Sequence, residues 1–190
     1  HLGLEALLVE LIEFPSIQFG LEQAFLSLNS SNGFDLFPSK FTSGEDSISI
    51  NGLIWMGDKD FMLKQISQNL NQGFTTIKLK IGAIDFETEY EIIKNLRSQF
   101  NSNDLTIRVD ANGAFSYNQA KEVLKKLSDH QVHSIEQPIK AGNWELMQAL
   151  CESSPTSIAL DEELIGINNK AELLDVIKPQ YIILKPSLHG

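Results

Sequence analysis

The 190 residues include one cysteine, Cys151, so no internal disulfide can form, and a reducing, cytoplasmic setting is expected. No apolar run approaches the roughly 20 residues that a membrane helix needs, and the N-terminus lacks the basic residues and apolar core of a secretory signal. A membrane is therefore not an expected partner. Positive charge is scarce too: 15 Lys and Arg stand against 25 Asp and Glu, a net charge of −10. That balance would repel a phosphate backbone unless a local basic stripe overrode it, and no such stripe is present, so nucleic acid is not expected either. Missing as well is a glycine-rich loop ending in Gly-Lys-Ser/Thr, which argues against phosphoryl transfer. His130, His133 and His189 form no recognisable ligand spacing, and the first two read as structural.

What is present is ordinary globular material, 42% hydrophobic and 21% charged, enough for one large domain or one and a part. Leu4, Leu7, Leu8, Leu11 and Ile12 recur at helical spacing until Pro15, and a second helix follows through Phe19, Ala24, Phe25 and Leu28. Residues 29–46 are rich in Ser, Asn, Gly and Pro, which marks a loop and divides the chain into 1–46 and 47–190. Beyond it, short β-branched or apolar runs at 47–55, 75–81, 105–110, 132–136, 156–161 and 180–185 alternate with amphipathic segments. Phe86, Tyr90, Ile93 and Leu96 form one helical inner face and Ala120, Val123, Leu124 and Leu127 another, the latter opened by a Ser116/Gln119 capping-box pattern.

Strand, helix and strand at this short period build a parallel sheet. An open doubly wound sheet concentrates its chemistry in one crevice, whereas a (β/α)8 barrel spreads catalytic groups over the C-terminal ends of many strands. Here Lys80, Asp110, Glu136, Asp161 and Lys185 recur at five successive strand ends, each one β/α unit from the next. In an open sheet the outer ones would be too far apart, at about 4.8 Å per strand, to share one small site. The pattern predicts an α/β fold of the (β/α)8 TIM-barrel type, incomplete here with six strands. Six strands cannot close a barrel, because strand number, tilt and stagger are linked. The chain begins at His1, not Met, and stops at Leu188-His189-Gly190 just after a strand-like run, so a longer protein is expected.

Three carboxylates on neighbouring strands repel one another unless a cation lies among them. An oxygen-only set favours a hard ion, so Asp110, Glu136 and Asp161 are the expected ligands of Mg²⁺. Lys78 and Lys80, two apart on one strand, share a face that Ile77, Leu79 and Ile81 do not. A lysine acts as a base near neutrality only with a depressed pKa, and a neighbouring ammonium and a divalent cation both act that way. Lys80, nearer the strand end, is the expected base, with Lys78 as its electrostatic neighbour. Lys185 is expected to stabilise developing negative charge or act as acid, and Arg108, on the face of Asp110, to orient a substrate carboxylate. Each residue alone has a bland reading: a solvated strand lysine, an Asx turn at Asp110, a helix cap at Glu136 or Asp161. Their common phase favours one shared site.

The segments Thr76-Ile77-Lys78-Leu79-Lys80-Ile81-Gly82, Arg108-Val109-Asp110-Ala111-Asn112, Ile135-Glu136-Gln137-Pro138, Ala159-Leu160-Asp161-Glu162 and Leu184-Lys185-Pro186-Ser187 resemble, in order, the signatures of the enolase superfamily, muconate-lactonizing subgroup. Pro15-Ser16-Ile17-Gln18-Phe19-Gly20 and the 184–190 segment are most similar to members that eliminate water. The resemblance implies that residues 1–46 end an α+β capping domain and that 47–190 supply the first six barrel units. It implies a hydro-lyase acting on a small-molecule carboxylate: Lys80 takes the α proton, Mg²⁺ (with Mn²⁺ as a substitute) and Lys185 hold the enediolate, and Lys78 assists. Arg108 and Asn112 would help to position substrate, and Ser187 would meet its carboxylates. Gln137 departs from the pattern, standing where many relatives carry a second Glu. Racemisation of N-succinylamino acids or epimerisation of dipeptides is the rival with the same residues, and a non-catalytic binding module is the rival of another class. Oligomeric state is left open.

Overall fold

A computed structural model describes residues 3–190, which divide into two compact units. The first comprises residues up to 49 together with 164–168 and 184–190. Its helices are α1 (Leu4–Glu10) and α2 (Pro15–Asn29), followed by turns. Pro15 both ends the first apolar run and opens α2 at N1, where its missing N–H costs no hydrogen bond and its fixed φ suits the helix. The Ser16 hydroxyl donates to the Ser187 carbonyl at 2.6 Å, so the C-terminal helical turn is tied to α2.

The second unit contains 50–163 and 169–183. Its strands are β1 (Gly52–Ile54), β2 (Thr76–Lys80), β3 (Thr106–Asp110), β4 (Ser134–Glu136), β5 (Ser157–Leu160) and β6 (Tyr181–Ile182). They alternate with α3 (Lys59–Asn71), α4 (Phe86–Gln99), α5 (Tyr117–Asp129), α6 (Trp144–Ser153) and α7 (Lys170–Ile177). All pairings are parallel and the strand order is β1-β2-β3-β4-β5-β6. An open doubly wound sheet reverses its order at a switch point; this sheet never does, and it forms part of a (β/α)8 barrel.

Side chains alternate between the two faces of each strand. Ile54, Ile77, Leu79, Ile107, Val109, Ile135, Ile158 and Leu160 are buried on one, and with Met62, Ile66, Ile92, Ile93, Leu124, Leu127 and Met147 from the helices they form the core. The other face carries the polar residues in register: Lys78 is level with Arg108 and Ser134, and Lys80 with Asp110, Glu136 and Ala159. The capping box is present at α5, with Ser116 and Gln119 satisfying each other's backbone.

Three sequence-based expectations change. The first strand begins at Gly52, not at residue 47, because only Gly52–Ile54 lie opposite β2, and Ile48 and Ile50 outside that ladder are exposed. The last strand ends at Ile182: after the Ile183 N–H donates to the Leu160 carbonyl the chain turns toward Pro186, which has no N–H to offer a ladder. Lys185 is consequently the N-cap of α8 (Pro186–His189), not a strand residue. On α4 the buried face is Glu89, Ile92, Ile93 and Leu96, with Phe86 and Tyr90 only half-buried. The carboxyl of Glu89 occupies a place that an apolar pattern would assign to carbon, because it accepts the Gly82 N–H at 2.7 Å.

Candidate active site

The C-terminal ends of β2, β3 and β4 bring four charged groups into direct contact. Lys80 Nζ lies 2.6 Å from Asp110 Oδ2 and 2.6 Å from Asn112 Oδ1. Lys78 Nζ lies 3.0 Å from the same Asp110 oxygen and bonds Glu136 Oε2. Strand pairing explains the cluster. Lys80, Asp110 and Glu136 are Cα partners across three adjacent strands, while Lys78, one inward step below, reaches up with its four-carbon stem.

Burial sets the electrostatics. Asp110 and Glu136 are 1% and 5% exposed, and removal from water disfavours a charged carboxyl. At Asp110 burial acts upward, but the hydrogen bond from Lys80 and the charge of Lys78 outweigh it and hold the group below the usual aspartate range. At Glu136 burial dominates over the Lys78 hydrogen bond, with the Asp110 charge adding to it, and pushes the carboxyl up to about 7. Burial alone would lower Lys78; the hydrogen bond to Glu136 and the charge of Asp110 more than offset it, so Lys78 is held in its ammonium form.

Asp161 follows β5 directly and is 1% exposed. Because Glu136 is level with Ala159, Asp161 has the same strand phase two residues further along. Among the described residues no three His, Cys, Asp or Glu side chains are close enough together to hold a metal ion. Oxygens of Asp110 and Glu136 are engaged instead by two ammonium groups. In donor chemistry the set still fits a hard cation: it offers carboxylate oxygens alone, and all three side chains are buried.

Asn112 sits just past β3 with a left-handed φ of 46°; its side-chain oxygen meets Lys80 and its nitrogen donates to Glu162 Oε1 at 2.8 Å. Arg108 lies one tier deeper than Asp110, where Nη1 is 3.3 Å from Asn51 Oδ1. Together with Lys78, His133, Ser134 and Tyr181 it lines a cavity of about 130 Å³. Lys185 and Ser187 belong to the first unit, where the Ser187 carbonyl accepts from Ser16.

Several residues near the cluster escape a motif reading. Trp55, past the end of β1, has its ring centroid 5.9 Å from Lys80 Nζ, and both backbone polar groups of Trp55 are bonded by the Gln65 amide. Its phase matches Leu53, which is level with Lys78, so extending the strand-end pattern to the first strand would have found it. Asn51 and Glu163 carry no such signal, and Gln137 and Glu162 stand in the signature segments without their contacts being legible there.

A parallel partial barrel with acids and lysines at its strand ends defines a class, and a family model agrees: the chain belongs to the enolase C-terminal domain-like family, matched over residues 62–188, and so to the enolase superfamily. Among its relatives, the o-succinylbenzoate synthase of Desulfotalea psychrophila is 52% identical over 93% of this chain and 49% of its own length. The crystal structure of MenC from that organism superimposes with a TM-score of 0.83 at 51% identity, covering 93% of this chain and 49% of that one. The o-succinylbenzoate synthase structure from Thermosynechococcus elongatus, complexed with Mg in its active site, gives a TM-score of 0.75 at 26% identity over 92% of this chain and 51% of that one. An L-Ala-D/L-Glu epimerase of Francisella tularensis subsp. novicida is 30% identical over 60% of this chain and 32% of its own. The chain thus spans about half the length of the o-succinylbenzoate synthases it matches.

Proposed function

We propose that the protein is an o-succinylbenzoate synthase, a hydro-lyase of menaquinone biosynthesis working in the cytoplasm. It converts 2-succinyl-6-hydroxy-2,4-cyclohexadiene-1-carboxylate to 2-succinylbenzoate and water. The observation that carries the reading is Lys80 Nζ, held 2.6 Å from both Asp110 and Asn112 at the strand ends of the partial barrel; the 52% identity to a synthase of that name supports the substrate.

In this reading Lys80 takes the proton on the carbon bearing the carboxylate. The C–H electron pair moves into the carboxylate as an enediolate, then returns to expel the hydroxyl group, which leaves with a proton as water and completes the aromatic ring. Asn112 keeps Lys80 oriented, and Lys78, fixed as an ammonium between Asp110 and Glu136, contributes positive charge from below. Arg108 helps to orient the substrate from the tier beneath. Asp110, Glu136 and Asp161 would hold Mg²⁺, with Mn²⁺ as an alternative, which supplies charge stabilisation for the carboxylate oxygens. The role of Lys185, to stabilise developing negative charge or act as acid, rests on the sequence pattern and the resemblance, and that of Ser187, as a carboxylate contact, on the resemblance alone.

Lys80→Ala in the full-length protein is expected to reduce dehydration by at least about 10²–10⁴-fold, the usual contribution of a positioned base, while circular dichroism stays unchanged. Undiminished turnover would refute the assignment. The epimerase relative keeps a second reading open: if an N-succinylamino acid or dipeptide in deuterated water exchanged its α proton with inversion more efficiently than the cyclohexadiene is dehydrated, racemisation or epimerisation would replace the synthase reading.

A further inference from the structure

Behind the strand ends lies a polar pair that the chemistry above leaves unused. Gln137 is 0% exposed and Glu163 2%, and burial of such groups is costly unless every donor and acceptor is matched. At Gln137 the matching is complete. Its Nε2 donates to the Ile139 carbonyl at 3.0 Å and to Glu163 Oε2 at 3.1 Å. Its Oε1 accepts the N–H of Asp161 and of Glu163, each at 3.2 Å. The amide has two donors and two acceptor positions, and all are filled. Glu163 Oε1 in turn accepts the Gly142 N–H at 2.8 Å.

The backbone adds a second observation. Gln137 has a φ of 41°, a left-handed conformation that costs a residue other than glycine roughly 1–2 kcal/mol. Glycine would adopt it without strain but has no amide. The conformation aims the side chain away from the strand end and across to the segment after β5.

We propose that Gln137 and Glu163 are positioning residues: the pair clamps the backbone of Asp161 to the residue following Glu136 and so sets the separation of two carboxylates that hold the divalent cation. The inference rests on the metal reading of Asp110, Glu136 and Asp161 and extends it to two side chains that touch neither metal nor substrate. The clamp is specific in its polarity, since Gln137 must offer a donor where Glu163 offers an acceptor. Gln137→Glu sets two carboxyl groups face to face. Glu163→Gln sets an amide donor against either Gln137 Nε2 or the Gly142 N–H. The double substitution restores a donor opposite an acceptor at the contact between the two side chains, with the polarity reversed, although the Ile139 carbonyl loses its donor.

The test is the Mg²⁺ dissociation constant of the metal-stripped full-length protein, measured by titration calorimetry without substrate, beside a urea unfolding curve in EDTA. Residues that orient metal ligands typically change affinity by about 10–100-fold. Gln137→Glu is expected to weaken Mg²⁺ binding by at least about tenfold, Glu163→Gln to weaken it, and the double variant to bind more tightly than either single variant. A merely structural pair would lower the unfolding midpoint and leave the dissociation constant of the folded protein unchanged. Mg²⁺ binding by both single variants within about twofold of a parent that binds well overturns the clamp and leaves the metal reading standing. A parent that binds no Mg²⁺ overturns both. Should Gln137→Glu fail to fold, the comparison of Glu163→Gln with the double variant decides: tighter binding by the double supports the clamp, and equal binding overturns it.

Discussion

Truncation of Leu79 to alanine separates packing from chemistry on a single strand. Leu79 lies between Lys78 and Lys80 yet is 0% exposed, because the pleat turns it toward the helices and the lysines toward the opposite face. The substitution removes three carbon groups, each contributing about 0.8 kcal/mol through burial, so roughly 2.4 kcal/mol is lost by transfer alone. The surrounding Ile, Leu and Met side chains cannot collapse fully into the space, and the residual cavity raises the total to about 3–4 kcal/mol, inside the usual range of about 2–5 for such a change. Urea titration in EDTA, followed by circular dichroism, measures the loss. Turnover per folded molecule should be preserved, since no polar contact of Lys78, Lys80, Asp110 or Glu136 involves this side chain. A loss under about 1 kcal/mol would mean that the position is not packed as described, and a folded variant without turnover would mean that the two faces are not independent.

Glu89 provides a pH signature. Burial, opposed by the N–H groups of Gly82 and Ile84, holds its carboxyl above the ordinary 4.5, so between the ordinary and the raised value the native state binds more protons than the unfolded chain. Its contribution therefore falls as pH rises through that window, and Glu89→Gln should gain stability relative to the parent across urea midpoints taken from about pH 4 to 8; a flat or reversed difference refutes this. At Cys151, burial first and the charges of Glu152 and Glu163 after it push the thiol up to about 12. Because the thiolate is the reactive form, disulfide exchange with an aromatic disulfide reagent near pH 8 should follow unfolding, and rapid labelling of the native protein would contradict the structure.

The parts legible in the amino-acid order are those governed by local periodicity. Alternation at Ile77, Lys78, Leu79 and Lys80 foretells which face each residue occupies, and the Ser116/Gln119 pair marks the start of α5 within a residue. Ladder length was not legible. β propensity at residues 47–51 and 183–185 says nothing of where a partner strand stops, which is what trims β1 and β6. At the candidate site, strand phase alone groups Lys80 with Asp110 and Glu136. The burial and partners of Glu89, Gln137 and Glu163 were invisible for the opposite reason: a buried polar residue is justified by partners distant in sequence, and its letter looks the same as that of a solvated one. Arg108 illustrates the limit between them, since its face follows from phase but its partner, Asn51, comes from a different segment.

The division of each strand between an oily side and an ionic side makes the protein tolerant of one kind of change and brittle toward another. Exchanging one side chain for another alters a single position. Inserting one residue between Lys78 and Leu79 would rotate everything after it by half a turn, driving an ammonium into the layer of isoleucines and presenting a methyl branch to Asp110. Diversification of such a scaffold is therefore channelled into the loops beyond the strand ends, where length can vary without exchanging inside for outside.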